Sequence, residues 1–159
     1  MKKIFLIIAV LLFLLLSSFF YTKREDSQNV LDYLGKEKDF ILSKYGRPSL
    51  IESAGGGGGE MLYYEEEKLA FIFSDLEKDI VNNIILLPGR DILGAKVGMR
   101  FDEIENIIGK PKKRTLDPYQ NDYIMIYEIK DGDIEIWFSA NSDNSPTEMA
   151  EVFWKGYWD

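Results

Sequence analysis

The side chains that perform most nucleophilic and metal chemistry are missing from this chain: its 159 residues include no Cys and no His. Their absence excludes disulfides, thiolate nucleophiles, Ser-His-Asp and Cys-His catalysis, and zinc sites built on His or Cys. Chemistry would fall to carboxylates, Lys, Tyr or a hydroxyl. Three acidic groupings have close spacing: Glu65-Glu66-Glu67, then Asp75, Glu77 and Asp79, and finally Asp131-Gly132-Asp133 with Glu135. The first two read as solvated turn charges. The third has the outline of a calcium loop but lacks the full ligand pattern, and Asp131-Gly132 is a favoured two-residue hairpin turn. A carboxylate pair for glycoside hydrolysis depends on a separation in space that sequence does not contain. The glycine run Gly55 to Gly59 is followed by Glu60-Met61-Leu62-Tyr63-Tyr64, a strand, instead of the Lys-Ser or Lys-Thr and helix of a phosphate-binding loop. It reads as a loop between strands. No catalytic residue, metal site or cofactor is assigned.

The elements that would position any site begin after an apolar segment. Lys2 and Lys3 precede the uncharged run Ile4 to Tyr21, and Thr22-Lys23-Arg24-Glu25-Asp26 follows it. Eighteen residues at about 1.5 Å each make a helix of roughly 27 Å, close to the thickness of a hydrocarbon core. The run ends in Ser18-Phe19-Phe20-Tyr21, with no small-x-small cleavage site. Residues 1–26 are therefore expected to be a single-pass signal anchor that crosses the cell membrane through residues 4–21, with residues 27–159 extracytoplasmic; secretion after cleavage is the alternative. The net charge is −8, and every acid follows the apolar run. So acidic a domain is a poor partner for nucleic acid.

Within the remainder a motif occurs twice, 63 positions apart and without a gap: Gly35 to Pro48, and Gly98 to Pro111. Phe101, Ile104, Ile107 and Ile108 form an apolar stripe at helical spacing, and Asp39 and Asp102 sit in the first turn, where negative charge suits the helix dipole. Gly46 and Gly109 are read as helix stops, reinforced by Pro48 and Pro111. Beyond the stops, the Asp131-Gly132 turn predicts pairing of Glu128 with Glu135 and Tyr127 with Ile136, and a turn at Glu67-Lys68 would pair Tyr64 with Phe71. Apolar stretches at Ile80 to Leu87 and Met149 to Trp154 add strands. The expected architecture is α+β: two tandem helix-plus-antiparallel-hairpin repeats, about 34–88 and 94–155. Each would have a helix and three or four strands, forming a sheet with the helices on one face, after the transmembrane helix.

The hairpin register separates two faces. Leu62, Tyr64, Phe71 and Phe73, with Met125, Tyr127, Ile136 and Phe138, form the more apolar one and are expected to be core. The other presents Tyr63 beside Ile72 and Ile126 beside Trp137, among Glu65, Glu128 and Glu135. Aromatics among acids on a sheet face suit a contact surface, so these four are the candidate binding residues. The alternative packs them between the repeats or beneath the Trp154 to Trp158 segment.

A glycine, a helix with an acid in its first turn, a Gly-x-Pro stop, a strand containing Tyr and an apolar hairpin together resemble the unit shared by beta-lactamase inhibitor proteins and the BamE/SmpA outer-membrane assembly lipoproteins. They are also similar to secreted or membrane-anchored bacterial proteins with two such units. The resemblance covers about residues 34 to 155. The expected function is that of a non-enzymatic, membrane-anchored extracytoplasmic module that binds an envelope protein or cell-wall component through a sheet face. A carboxylate-dependent hydrolase and a structural accessory subunit of an envelope complex are the alternatives. Glu37 and Arg100 stand where the family has Ser or Thr, and there are neither disulfides nor a lipobox Cys. The inhibitory loop residues have no counterpart here, so lactamase inhibition is not carried over.

Overall fold

In Ile134–Ala140 every second residue, Ile134, Ile136, Phe138 and Ala140, is buried and those between are partly exposed. This period-two pattern builds most of the molecule. The computed structural model describes residues 30–54, 59–74, 79–118 and 120–155. A 3-10 turn at Val30–Tyr33 leads to helix α1 (Lys38–Tyr45) and strands β1 (Leu50–Ser53), β2 (Glu60–Tyr64), β3 (Leu69–Phe73) and β4 (Val81–Leu86). A small hairpin, β5 (Asp91–Ile92) and β6 (Ala95–Lys96), precedes helix α2 (Phe101–Ile108). Strands β7 (Lys113–Leu116), β8 (Tyr123–Ile129), β9 (Ile134–Ala140) and β10 (Met149–Trp154) complete the chain.

Eight strands form one antiparallel sheet in the order β1-β2-β3-β4-β10-β9-β8-β7. The expectation of two tandem helix-plus-hairpin repeats is thereby corrected. At the middle of the sheet β10 pairs with β4 through Ala150 with Leu86, Glu151 with Ile85, Val152 with Ile84 and Phe153 with Asn83. Separate four-stranded units would leave β4 and β10 as open edges with unpaired backbone groups; joining them removes both edges and merges the apolar faces into one core. That core includes Leu62, Phe71, Ile84, Phe138 and Val152. The helices are minor, eight residues each, and bury only Ile41 from α1 and Phe101 and Ile104 from α2. The expected transmembrane helix over residues 4–21 lies outside the described residues. No helix among the described residues is long and apolar enough to cross a membrane.

Local chemistry explains the helix ends. Helix α1 stops at Gly46, whose φ is 75°, and α2 at Gly109, whose φ is 100°; their N–H groups donate to Leu42 O and Glu105 O at 2.8 and 2.9 Å. Pro48 and Pro111 follow two residues later. Each stop is tied to the sheet by a tyrosine: Tyr64 Oη donates to Gly46 O at 3.2 Å, and Tyr127 Oη to Gly109 O at 2.9 Å. Burial pushes the Tyr127 pKa up to about 12, so its phenol remains a donor at neutral pH.

The second hairpin pairs Glu128 with Glu135 and Tyr127 with Ile136, the partners its turn predicts. The first does not follow its expected register: Tyr64 pairs with Leu69, and Phe71 with Leu62. A four-residue turn at Glu65–Lys68, closed by Lys68 N donating to Glu65 O at 3.2 Å, replaces the two-residue turn. The shift is an even number of residues, so every side chain keeps its face.

Candidate functional site

The pairings define rows across the sheet on the side away from the helices. One runs Leu50, Tyr63, Ala70, Ile85, Glu151, Trp137, Ile126, Lys113, crossing all eight strands. A second runs Glu52, Met61, Ile72, Asn83, Phe153, Glu135, Glu128. This face is concave: a single cleft of about 750 Å³ takes lining residues from both edge strands, Glu52 and Ser53 of β1 and Lys113 and Thr115 of β7, and from the central strands. Its volume falls in the range of small-ligand sites, roughly 300–1,000 Å³. Met61, Ile72, Ile85, Ile124 and Trp137 give it an apolar lining. Ala54 after β1 and Asp117, Pro118 and Gln120 after β7 supply loop positions.

Two of the four candidate binding residues line the cleft, Ile72 and Trp137. Ile126 shares the face, opposite Trp137, but is 7 % exposed and outside the lining. Tyr63 is also on that face outside the lining, and its cross-strand partner is Ala70, not Ile72. Trp137 is held firmly: its indole N–H donates to Glu135 Oε2 at 2.8 Å, and its ring meets Phe153 edge-on at 5.1 Å between centroids. Beside it Lys112 bonds to Glu128 and approaches Glu135 Oε1 at 3.5 Å, and Lys155 reaches Glu128 at 2.7 Å. The Lys112 hydrogen bond holds the Glu128 carboxyl below its ordinary pKa. Of the covering segment once expected over this face, Trp154 is 40 % exposed, and residues 156–159 lie outside the described residues.

Sequence reasoning missed the residues at the cleft centre. Asn83 of β4 is fully buried, and its Nδ2 donates to Glu151 Oε2 of β10 at 3.2 Å. Burial raises the Glu151 pKa, and the Asn83 hydrogen bond offsets part of that rise. The available signal was the polar pair Asn82-Asn83 in one apolar stretch and the lone Glu151 in the other, but it does not reveal that Asn83 and Glu151 meet. The acids at the rims are remote from Glu151: β1 lies four strand spacings from β10, at about 4.8 Å each along the sheet, and β7 three. Among the described residues no group of three or more carboxylates converges as a metal-ligand set. Gly55 to Gly58, Asp75 and Glu77 lie outside the described residues.

Glu151 makes one prediction about stability. Its carboxyl is harder to ionise folded than unfolded, so its contribution is full at low pH and is lost as pH rises from the ordinary carboxylate value through the raised folded one. Asn83 and Ile85 flank it from β4 and Trp137 from β9, and Glu52, Lys113 and Asp117 are the other charged groups lining the cleft. Glu151→Gln should therefore melt higher than the wild type at about pH 7, with the gain shrinking toward about pH 4. Thermal unfolding across that range checks this; a difference independent of pH refutes it.

Comparison with protein-family models gives no match, and neither does comparison with curated proteins. Solved structures do share the fold. An extracellular protein containing a SCP domain from Bacillus anthracis superposes with a TM-score of 0.60 at 12% identity, over 81% of this chain and 46% of that one. A DUF4309 family protein from Bacillus subtilis gives 0.54 at 14% identity, over 76% of this chain and 79% of that one. A cysteine-rich secretory protein from Staphylococcus aureus gives 0.53 at 13% identity, over 81% and 46%. The chain thus spans about half the length of two of these proteins. At such identities the likeness is one of fold.

Proposed function

We propose that the protein is a non-enzymatic extracytoplasmic binding module, anchored in the cell membrane through residues 4–21, that takes a ligand in the concave face of its sheet. The observation carrying this reading is the cleft of about 750 Å³, with an apolar lining around the Asn83–Glu151 pair. Extracellular and secretory proteins among the structural neighbours support the location, as does the apolar run behind Lys2 and Lys3. Kinship with beta-lactamase inhibitor proteins and BamE-type lipoproteins belongs to the same proposal, resting on the Gly-to-Pro motif. A carboxylate hydrolase is the weaker reading, because Glu151 bonds to an amide and the other cleft acids lie at the rims, whereas such enzymes pair carboxyls within about 5–9.5 Å.

The test is capture from native envelope fractions with full-length protein in mild detergent, comparing the wild type with Ile85→Trp. Ile85 is partly exposed in the cleft, so an indole there obstructs the floor without entering the helix-side core. A component retained by the wild type and lost by the variant is expected. Identical retention by both would sink the cleft reading.

A further inference from the structure

Asn83 poses a hydrogen-bonding problem at the cleft centre. Its side chain is fully buried and its Nδ2 is used on Glu151, but its Oδ1 meets no donor among the described residues. Buried amide oxygens in folded proteins are almost always paired, so an exception at a cleft points to a donor brought by a ligand. Beside that oxygen lies a second acceptor, the Glu151 carboxylate. Trp137 stands opposite Glu151 on the next strand, and because Glu135 already holds its indole N–H, what it offers a ligand is its ring. The charged lining residues are Glu52, Asp117 and Glu151 against Lys113 alone, in a chain of net charge −8.

We propose that the cleft receives an arginine side chain from a peptide segment of a partner protein, its guanidinium spanning Asn83 Oδ1 and the Glu151 carboxylate. Apolar neighbours of that arginine rest on Ile72, Ile85 and Trp137. A guanidinium fits better than an ammonium for three reasons. Its planar fork reaches two adjacent acceptors at once, it is weakly hydrated and so enters an apolar cleft at lower cost, and it stacks on aromatic rings. The inference rests on the cleft-binding reading and specifies the chemistry of its ligand.

Isothermal titration of the full-length protein in mild detergent tests it with three probes: acetyl-Ile-Arg-Ile-amide, its twin carrying neutral citrulline in place of arginine, and a β-1,4-linked N-acetylglucosamine hexamer. The arginine peptide should bind the wild type at least about tenfold more tightly than its twin, the scale of a charge-assisted hydrogen bond. Glu151→Gln, which is expected to fold at least as well as the wild type, should erase that preference, and Ile85→Trp should abolish binding of both peptides. Equal binding of the twins, with both lost in Ile85→Trp, would overturn the arginine inference and leave the cleft reading standing. Binding of the hexamer in preference to the arginine peptide would also overturn it. Failure of all three probes on the wild type would overturn the inference alone, the cleft reading then being judged by envelope capture.

Discussion

Ile84→Asn should lose about 3–5 kcal/mol of stability, whereas Ile85→Asn should lose no more than about 1 kcal/mol, although the residues are neighbours. Ile84 is fully buried on the helix side, paired with Phe71 and Val152 across β3 and β10. An amide there deletes apolar contacts and brings polar atoms into a core that includes Leu62 and Ile136, with no partner designed for them. Ile85 faces the cleft, where solvent reaches it. Urea unfolding of both variants is the measurement. Similar losses would mean that the concave face is a second packed core and would remove the basis for a ligand site.

Phe101→Ala should lower Tm by about 10–20 °C, the result of losing about 3–5 kcal/mol in a domain of this size. Phe101 opens α2, is fully buried, and lies beneath the Arg114 guanidinium at 5.0 Å from its ring centre. Arg114 is in turn fixed to Asp143, through Nε to Oδ1 at 2.6 Å and Nη2 to the backbone oxygen at 2.8 Å. Removing the ring therefore loosens α2, β7 and the loop before β10 together. Phe40, in α1, is 44 % exposed, and its loss should change stability by about 1 kcal/mol or less. Equal shifts in differential scanning calorimetry would refute this asymmetry between the helices.

The reason for the asymmetry lies in what covers each end of the sheet. Under α1 an aromatic group of Tyr33, Tyr45, Tyr64 and Phe71, with centroids 5.3 to 6.0 Å apart, fills the space. The helix contributes its last residue, Tyr45, to that group and otherwise fully buries only Ile41. At α2 the aromatic contacts on the sheet are fewer, Tyr127 with Phe138 at 6.1 Å, and Phe101 supplies bulk from the helix. The motif aligns Lys38 with Phe101, so this difference is visible in the sequence, but its consequence is not.

Face assignment was the most legible part of the site. Alternation alone places Leu62, Tyr64, Phe71 and Phe73 on one side and Ile72 on the other, and an even slip of register in the first hairpin leaves that partition intact. It also selected Trp137 and Ile72 as outer-face residues, though Tyr63 and Ile126 lie outside the cleft lining. The division into two repeats was misleading. Similarity between halves says how each half is built, but not whether their edges remain open.

By itself, then, the sequence determined which chemistries are absent, where the helices stop, and which side of most strands is apolar, because these depend on residue type and on spacings of a few residues. Only the tertiary structure decided that β4 pairs with β10, that the sheet curls into a cleft, and that Asn83 meets Glu151 across 68 positions of chain. Those outcomes depend on which strand edges find each other and on the curvature of the whole sheet. Both are set by the sum of backbone pairing and core packing, and neither leaves a local signature.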